Sequence, residues 1–556
     1  MKKLVECVPN FSEGRDKSVI DSIAAAISSV DGIKLLNVDM GFDTNRTVVT
    51  FAGDAAIIVE AGFRGMAKAA ELIDMSKQTG EHPRMGGTDV FPFIPLSGIS
   101  VEECLVLAED LAKRAGEELG IPVYLYAKSA KTKERVRLPD IRSGEYEALP
   151  EKFKSGDFKP DFGPDSFNPK TGVTAVGVRD FLLAYNINLS TRDRKIASDI
   201  ALTVREKGRA KRDGKGVIIR DSEGKAVKVP GRLSNCQAGG WYIDEYGYAQ
   251  VTMNLTNFPE TGLHTAFDIV SEEAVKRGVR VTGSEAIGLL PRDALLDAGK
   301  HYLEKMGKNT GIPEKEIIHT AIISLGLNDT SSFNPLSRVV EYAVEGKETG
   351  LATLSVSSFI DELSSDSMAP GGGSVSALSG ALSAGLTSMV ANLTFGKKGY
   401  THSNKKMKEV SNKAQNLKVK LLSLVDADTN AFNSYIEAAR LPKKSEAEIK
   451  RRNLAIEKAA KTITIVPLDT LRLCGEVIDL AEVMVKRGNK NALSDAFVGV
   501  SQANAAGEGA YLNVRINLPE VKDRVFADKV LKEADLLMEK ITKTHRRLFA
   551  YVRKNV

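Results

Sequence analysis

Histidine occurs only six times in this chain of 556 residues, and one copy stands in a segment suited to proton transfer. His82 lies in Thr79-Gly80-Glu81-His82-Pro83-Arg84-Met85-Gly86-Gly87, bracketed by glycines and followed by the strand-like run from Val90 to Leu96. An imidazole titrates near neutrality, and a loop carried on a rigid sheet is a common place for a group that must reach a ligand. Glu81 and Arg84 beside it could hold the charges of a small substrate. A surface histidine that happens to precede a proline satisfies the same residue types. Asn10, just after the first strand, and Asp39, at the end of another, are polar groups where an α/β-type sheet opens toward a ligand. Both types also make turns.

A second constellation lies far downstream. Leu417, Leu421, Leu424, Asp428, Ala431 and Tyr435 follow the three-or-four spacing of a helix face, so Asp428 falls on an apolar stripe while Asp426 turns away from it. A carboxylate directed inward must be paired, neutralised or used. A bond to a neighbouring helix is one such use and catalysis is another. Upstream, Ala369-Pro370-Gly371-Gly372-Gly373-Ser374 precedes a long helix and exposes backbone N–H groups without side-chain obstruction. It lacks the spacing and lysine of a phosphate loop, and a flexible cap needs no ligand. Ala377, Ala381, Gly385 and Met389 behind it form a small-residue stripe that permits close helix packing.

The elements that must carry these groups change type along the chain. Residues 4–126 alternate strand and helix: strands Leu4–Val8, Ile33–Asp39, Thr47–Ala52 and Val123–Tyr126, and helices Lys17–Ser28, Ala55–Ile73 and Val101–Leu119. The Pro/Gly-rich stretch Asp157–Gly172 reads as a connector to a second unit with the same order of elements, from strand Phe181–Leu189 to helix Arg194–Glu206 and onward. Gly214–Gly231 reads as a projecting hairpin within it. Beyond the polar run Asn328–Pro335, helical patterning takes over and predicts an antiparallel bundle. The predicted fold class is therefore α+β followed by all-α, with units at 1–178 and 179–327, a linker at 328–336 and a helical domain at 337–556.

Bulk composition narrows the function classes. The 42% hydrophobic and 27% charged content is that of a globular enzyme, and 77 basic against 72 acidic residues leave a net charge of +5, too little to suggest a nucleic-acid partner. Four cysteines without metal-ligand spacing predict neither a metal centre nor a disulfide framework, and a reducing cytoplasm is the expected compartment. The opening Met1-Lys2-Lys3-Leu4-Val5 is cut short by Glu6 and reads as a first strand rather than a signal peptide. The uncharged stretch from Ser367 to Gly396 is rich in Ser, Thr and Gly, so no membrane span is expected.

Several segments carry a resemblance. Val5–Gly14 (VECVPNFSEG), Thr44–Phe51 (TNRTVVTF), Gly80–Gly86 (GEHPRMG), Pro122–Tyr126 (PVYLY), Ser143–Pro150 (SGEYEALP) and Asp161–Phe167 (DFGPDSF) look like glutamate formimidoyltransferase. Ala369–Leu378 (APGGGSVSAL), Leu424–Phe432 (LVDADTNAF) and Glu437–Lys443 (EAARLPK) resemble the formimidoyltetrahydrofolate cyclodeaminase family. Their order is that of the bifunctional formimidoyltransferase-cyclodeaminases, over essentially the whole chain.

The resemblance implies two tandem α/β sandwich subdomains followed by a helical-bundle cyclodeaminase. It implies transfer of the formimidoyl group of N-formimidoyl-L-glutamate to N5 of tetrahydrofolate, then closure to 5,10-methenyl-tetrahydrofolate with loss of ammonia. His82 matches the family's catalytic histidine and Asp428 its active-site aspartate. Gly163, Pro164, Asp165, Ser166, Phe167, Asn168, Pro169, Lys170, Thr171 and Gly172 match its folate-binding loop. Tetrahydrofolate, polyglutamylated, is then the co-substrate, and a homo-octamer is the implied assembly. Two alternatives stay open for the helical domain: a methenyltetrahydrofolate cyclohydrolase, or a non-catalytic scaffold for oligomerisation. The Gly214–Gly231 hairpin is longer than the animal members lead one to expect.

Overall fold

The computed structural model describes residues 3–42, 44–80, 82–156, 158–243, 247–345, 350–367 and 369–556. The chain folds as two compact units, Met1–Ala298 with Ile322–Lys347, and Gly299–Ala321 with Glu348–Val556.

The first unit begins with β1 (Leu4–Cys7), β2 (Asn10–Phe11), α1 (Lys17–Ser28), β3 (Lys34–Gly41), β4 (Arg46–Asp54), α2 (Ala55–Leu72), β5 (Thr88–Ser97), α3 (Val101–Glu118), β6 (Val123–Ala127), α4 (Leu138–Ile141), α5 (Leu149–Ser155) and β7 (Thr174–Val178). These strands make one mixed sheet in the order β1-β4-β2-β5-β7-β6, with β3 on the outer side of β4. Helix starts follow local chemistry. Asp16 accepts the Ser18 amide ahead of α1, and Ser100 and Glu103 form a reciprocal capping box ahead of α3.

One sheet face is apolar and packed. Cys7, Val49, Phe51, Phe91, Phe93, Val176 and Val178 meet Ile20, Ile27, Ile58, Met66 and Leu111 of α1–α3 in a single core. The opposite face carries a different residue set, fixed by strand register. Glu6 pairs with Ala52 and Ile94, Asn10 with Val48 and Val90, and Asp39 with Val48. Side chains alternate across the pleat, so Glu6, Asn10, Asp39 and Arg46 all point away from the helices. Part of this second face is covered: α4 and α5 lay Ile141 and Leu149 on Val90, Tyr124 and Tyr126, and Glu6, Ala52 and Ile94 are buried, whereas Asp39 is exposed.

The Asp157–Gly172 stretch is not the connector between the two subdomains. It leads into β7, which inserts between β5 and β6, parallel to both. All five residues of β7 are buried, so the strand shows no polar alternation for a sequence reading to detect. The actual connection is the short run from Arg179 to Leu182. It enters an antiparallel sheet, β11-β12-β8-β13, of β8 (Leu183–Leu189), α6 (Arg194–Val204), β9 (Arg209–Ala210), β10 (Lys228–Val229), β11 (Cys236–Ile243), β12 (Tyr248–Leu255), α7 (Leu263–Val275) and β13 (Val281–Ile287). Between β9 and β10 the chain makes two successive turns capped alike by Asp213 and Asp221, the expected projecting ribbon.

Next come α8 (Arg292–Lys305), α9 (Glu314–Leu325), α10 (Pro335–Arg338) and α11 (Val340–Glu345). The polar run at 328–335 is a packed turn rather than an open linker. Asn328 Oδ1 accepts the Phe333 amide, Val339 bridges to Leu290, and Glu341 Oε2 accepts the Arg292 amide at 2.8 Å. The structure accordingly keeps Ile322–Lys347 with the first unit and assigns Gly299–Ala321 to the helical one.

The helical unit consists of α12 (Val356–Leu363), α13 (Gly372–Thr394), α14 (Asn404–Arg440), α15 (Glu446–Arg487), α16 (Leu493–Asn517) and α17 (Arg524–Val552), with α13 packed on α14, α15 and α16. By length and composition α13 could cross a membrane, yet 61% of its most apolar window is buried inside the unit. Ala377 and Ala381 of its small-residue stripe are buried, whereas Met389 is exposed. Pro467 lies inside α15, where its missing N–H frees the Ile463 carbonyl, and Asn517 Nδ2 donates to that oxygen at 2.7 Å.

Candidate active sites

The His82 loop is held by residues from all over the first sheet. Asn45 accepts the Gly14 amide on Oδ1 and donates to the Thr79 carbonyl from Nδ2, both at 2.9 Å, while Gln78 Nε2 donates to Glu13 Oε2 at 2.8 Å. Arg84 Nη2 donates to the Gln78 carbonyl and to Glu147, each at 2.8 Å, so this guanidinium braces the loop against the 145–147 segment. Glu81 lies outside the described residues. Downstream, Gly86 bridges to Gly172, and a Cβ on Gly172, whose φ is +63°, would lie 2.1 Å from the Met85 carbonyl oxygen. That contact ties the end of the Gly163–Gly172 loop to the end of the His82 loop.

His82 itself is half-buried. Its Nδ1 sits 2.7 Å from the Pro83 carbonyl. A carbonyl can only accept, so Nδ1 carries the proton and Nε2 keeps a free lone pair. Burial, with Arg46 and Arg142 adding repulsion, pulls the imidazole below its usual 6.5, against the opposing pull of the Pro83 bond and Asp89. The ring is therefore a neutral base at physiological pH. Asp89 is buried beside it, accepting the Met85 amide at 2.8 Å and an ion pair from Arg142, and burial pushes its carboxyl up.

Other residues singled out by sequence fall around this group. Asn10 is buried and donates to the Val8 carbonyl at 2.9 Å. Asp39 is exposed on the open face and is one of the anions that favour the charged form of Arg46. In the 163–172 loop, Asn168 accepts the Lys170 amide and its carbonyl accepts the Gly172 amide, Tyr146 Oη donates to the Pro169 carbonyl, and Phe167 packs against Tyr146 and Phe153. Asp165, Ser166 and Lys170 are exposed.

In the helical unit the triple glycine and Asp428 come together. Gly371 caps α13 without a side-chain bond, and a Cβ on Gly373 would lie 2.1 Å from Asp428 Oδ1. Only glycine lets the carboxylate approach the helix start so closely. Ser374 Oγ, fully buried, donates to the Val425 carbonyl at 2.8 Å and lies 3.3 Å from Asp428 Oδ2. Gly372 lies near Asn513 of α16. Burial raises the Asp428 pKa, outweighing the Ser374 hydroxyl and amide, and no charged neighbour contributes. Asp426, by contrast, accepts the Leu351 amide at 2.7 Å and serves to hold the chain before α12. Among the described residues no group of three or more His, Cys, Asp or Glu could hold a metal ion.

Comparison with known proteins covers the stretches of chain that carry both constellations. Family models match residues 4–179 (formiminotransferase domain, N-terminal subdomain), 184–345 (formiminotransferase domain) and 355–536 (formiminotransferase-cyclodeaminase). The formimidoyltransferase-cyclodeaminase of Mus musculus is 42% identical over 542 residues, 97% of each chain. The chain belongs to the formimidoyltransferase-cyclodeaminase family. It is an enzyme of that bifunctional class. Each part also has relatives of its own: the glutamate formimidoyltransferase of Thermoplasma acidophilum is 43% identical over 310 residues, 55% of this chain and 95% of that protein. The methenyltetrahydrofolate cyclohydrolase of Methylorubrum extorquens is 40% identical over 201 residues, 36% of this chain and 97% of that protein.

Within this formimidoyltransferase-cyclodeaminase fold, three of the other transferase-like segments reach the one that carries His82. Ser12 and Glu13, Asn45, Glu147 and Thr171–Gly172 all touch the loop that carries His82 or its continuation. Sequence reading missed Asp89, Arg46, Arg142 and Arg179. The signal available for Arg46 was its place at the start of an alternating strand, on the face opposite Val49 and Phe51. Arg142 carried none, since it follows a four-residue helix.

Proposed function

We propose that the first unit transfers the formimidoyl group of N-formimidoyl-L-glutamate to N5 of tetrahydrofolate, and that the helical unit closes the product to 5,10-methenyl-tetrahydrofolate. The observation that carries the first step is the neutral His82 imidazole with Nε2 free, on a loop braced by Glu13, Asn45 and Glu147. N5 attacks the amidine carbon and His82 Nε2 takes the N5 proton. Collapse breaks the bond to the glutamate nitrogen, which leaves as an amine after receiving that proton. Gly163–Gly172 is the folate-binding loop in this reading, supported by its junction with Met85–Gly87. Asn10, Asp39, Glu81 and Arg84 are the further substrate-site residues it proposes, Arg84 acting through the loop it braces.

In the second step N10 attacks the formimidoyl carbon of 5-formimidoyl-tetrahydrofolate. Asp428 accepts the N10 proton and returns it to the departing nitrogen, which leaves as ammonia. A carboxyl with a raised pKa takes up and releases a proton closer to neutrality than an ordinary one, which suits both halves of this shuttle. Gly371 and Gly372 keep the surroundings open to a ligand, and Gly373 makes room for the carboxylate itself. Incubation with formimidoylglutamate and tetrahydrofolate should yield the methenyl-tetrahydrofolate absorbance together with ammonia. Production of neither by folded protein refutes the reading.

The likeness to the Methylorubrum extorquens protein favours a second reading of the helical unit, as a methenyltetrahydrofolate cyclohydrolase. Offering the enzyme both substrates and following ammonia against 10-formyl-tetrahydrofolate separates the two. A scaffold without chemistry predicts instead that Asp428→Ala leaves ammonia release unchanged. The proposal includes polyglutamylated tetrahydrofolate as co-substrate, no metal, a cytoplasmic homo-octamer, and domain limits of 1–178, 179–327 and 337–556 around a segment at 328–336.

A further inference from the structure

The open face of the first sheet carries more positive charge than its own groups neutralise. Arg46 begins β4 on that face. Arg179 follows β7 on the same face, because Val90 pairs with Ala175 and Pro92 with Gly177, and its amide donates to the Phe93 carbonyl at 3.1 Å. Arg142 reaches the same place from the end of α4. The three act on one another: Arg142 and Arg179 both disfavour the charged form of Arg46, and both favour the ionised form of Tyr126. The Nε atoms of all three are buried without a hydrogen-bond partner. Arg142 has Asp89 as an ion-pair partner, whereas Arg46 and Arg179 have no hydrogen-bonded acceptor among the described residues. Glu6, a carboxyl on which Arg179 acts, is buried at 2% exposure and pushed up to about 8 by that burial, so it stays largely protonated at neutral pH.

Half-buried guanidinia without acceptors are unfavourable unless an anion completes them. A carboxylate fits, because it accepts two parallel N–H bonds from one guanidinium. Both substrates of the proposed transfer bring glutamate carboxylates. They differ in where these lie relative to the reacting atoms. In the amidine donor the α-carboxylate is only a few bonds from the carbon under attack, whereas the glutamate of a folate lies beyond its aminobenzoyl ring. Arg46 and Arg142 are near enough to His82 to lower its basicity, which favours the donor.

We propose that Arg46, Arg142 and Arg179 form the carboxylate receptor of the transferase site, holding the glutamate carboxylates of the amidine donor while its formimidoyl carbon faces His82 Nε2. The inference rests on the transferase reading above. Arg46→Met and Arg179→Met should each raise KM for formimidoylglutamate about tenfold to a hundredfold, the loss of a charged hydrogen-bond pair, with KM for tetrahydrofolate unchanged. Arg46→Lys should recover part of the loss. Arg46→Met should also move the acid limb of kcat/KM upward, since a neighbouring cation no longer opposes protonation of His82, an effect that lost packing alone does not produce. In the unaltered enzyme, glutarate should compete with the donor and butyrate should not, a measurement independent of how any variant folds. The inference is overturned if glutarate fails to compete, or if variants that still bind tetrahydrofolate keep the donor KM. A rise in KM for tetrahydrofolate instead assigns the receptor to the folate's own glutamate and equally overturns it. Absence of any transfer by the unaltered enzyme defeats the transferase reading rather than this receptor.

Discussion

His82 stands on a loop beside a sheet face that carries three guanidinia, whereas Asp428 sits among helices with only hydroxyl and amide neighbours. In the proposed reactions both groups take a proton from a nitrogen near pH 7, and their surroundings move them in opposite directions. Cations and burial together disfavour imidazolium, so the histidine is available as a base. Burial without a cation disfavours carboxylate, so the aspartate holds its proton more readily than an exposed one. The difference also reaches the substrates. Guanidinia suit a donor with carboxylates, while an uncharged, tightly packed helix start suits a step in which the reacting groups are already part of one molecule.

The comparison predicts separable losses, the largest first. His82→Ala should reduce transfer about a hundredfold to ten-thousandfold while cyclisation of supplied 5-formimidoyl-tetrahydrofolate continues. Asp428→Asn should do the reverse to a similar degree, and ammonia release against glutamate release measures both. Gly373→Ala tests the packed helix start: its Cβ would lie 2.1 Å from Asp428 Oδ1, so the carboxylate must be displaced, and cyclisation should fall roughly a hundredfold with transfer intact. Retained cyclisation would show that the close approach at Gly373 has no catalytic part.

The pH profiles give smaller and more specific effects. Because the His82 pKa is lowered, its basic form persists at lower pH, and the acid limb of transfer should lie below pH 6.5. Because the Asp428 pKa is raised, its carboxylate is lost earlier on acidification, and the acid limb of cyclisation should lie above pH 3.8. Ser374→Ala should push that second limb further up, because the hydroxyl favours the ionised carboxyl, and should cost about 1 kcal/mol of stability through the lost bond to Val425. A limb that stays in place would remove Ser374 from the account of Asp428.

Much of the local structure was legible. The 3.6 period delimited α1 to the residue, and helical spacing separated Asp428 from Asp426, which the structure assigns to holding the Leu351 amide. β7 was not legible, because a five-residue buried strand has no alternation, and its omission let the Asp157–Gly172 stretch read as the connector to the second unit. The polar run at 328–335 read as a linker for a similar reason: composition cannot distinguish a solvated segment from a turn in which Asn328 accepts the Phe333 amide.

The sequence by itself determined the class of each half, the motifs of its family, and which residues could act as bases. Tertiary structure alone decided that Glu13, Asn45, Glu147 and Gly172 brace one loop, and that Arg46, Arg142 and Arg179 share one sheet face. Periodicity is a property of neighbours along the chain. Strand register, burial and the pairing of charges are set by segments distant in sequence, and those interactions lower the proton affinity of His82 and raise that of Asp428.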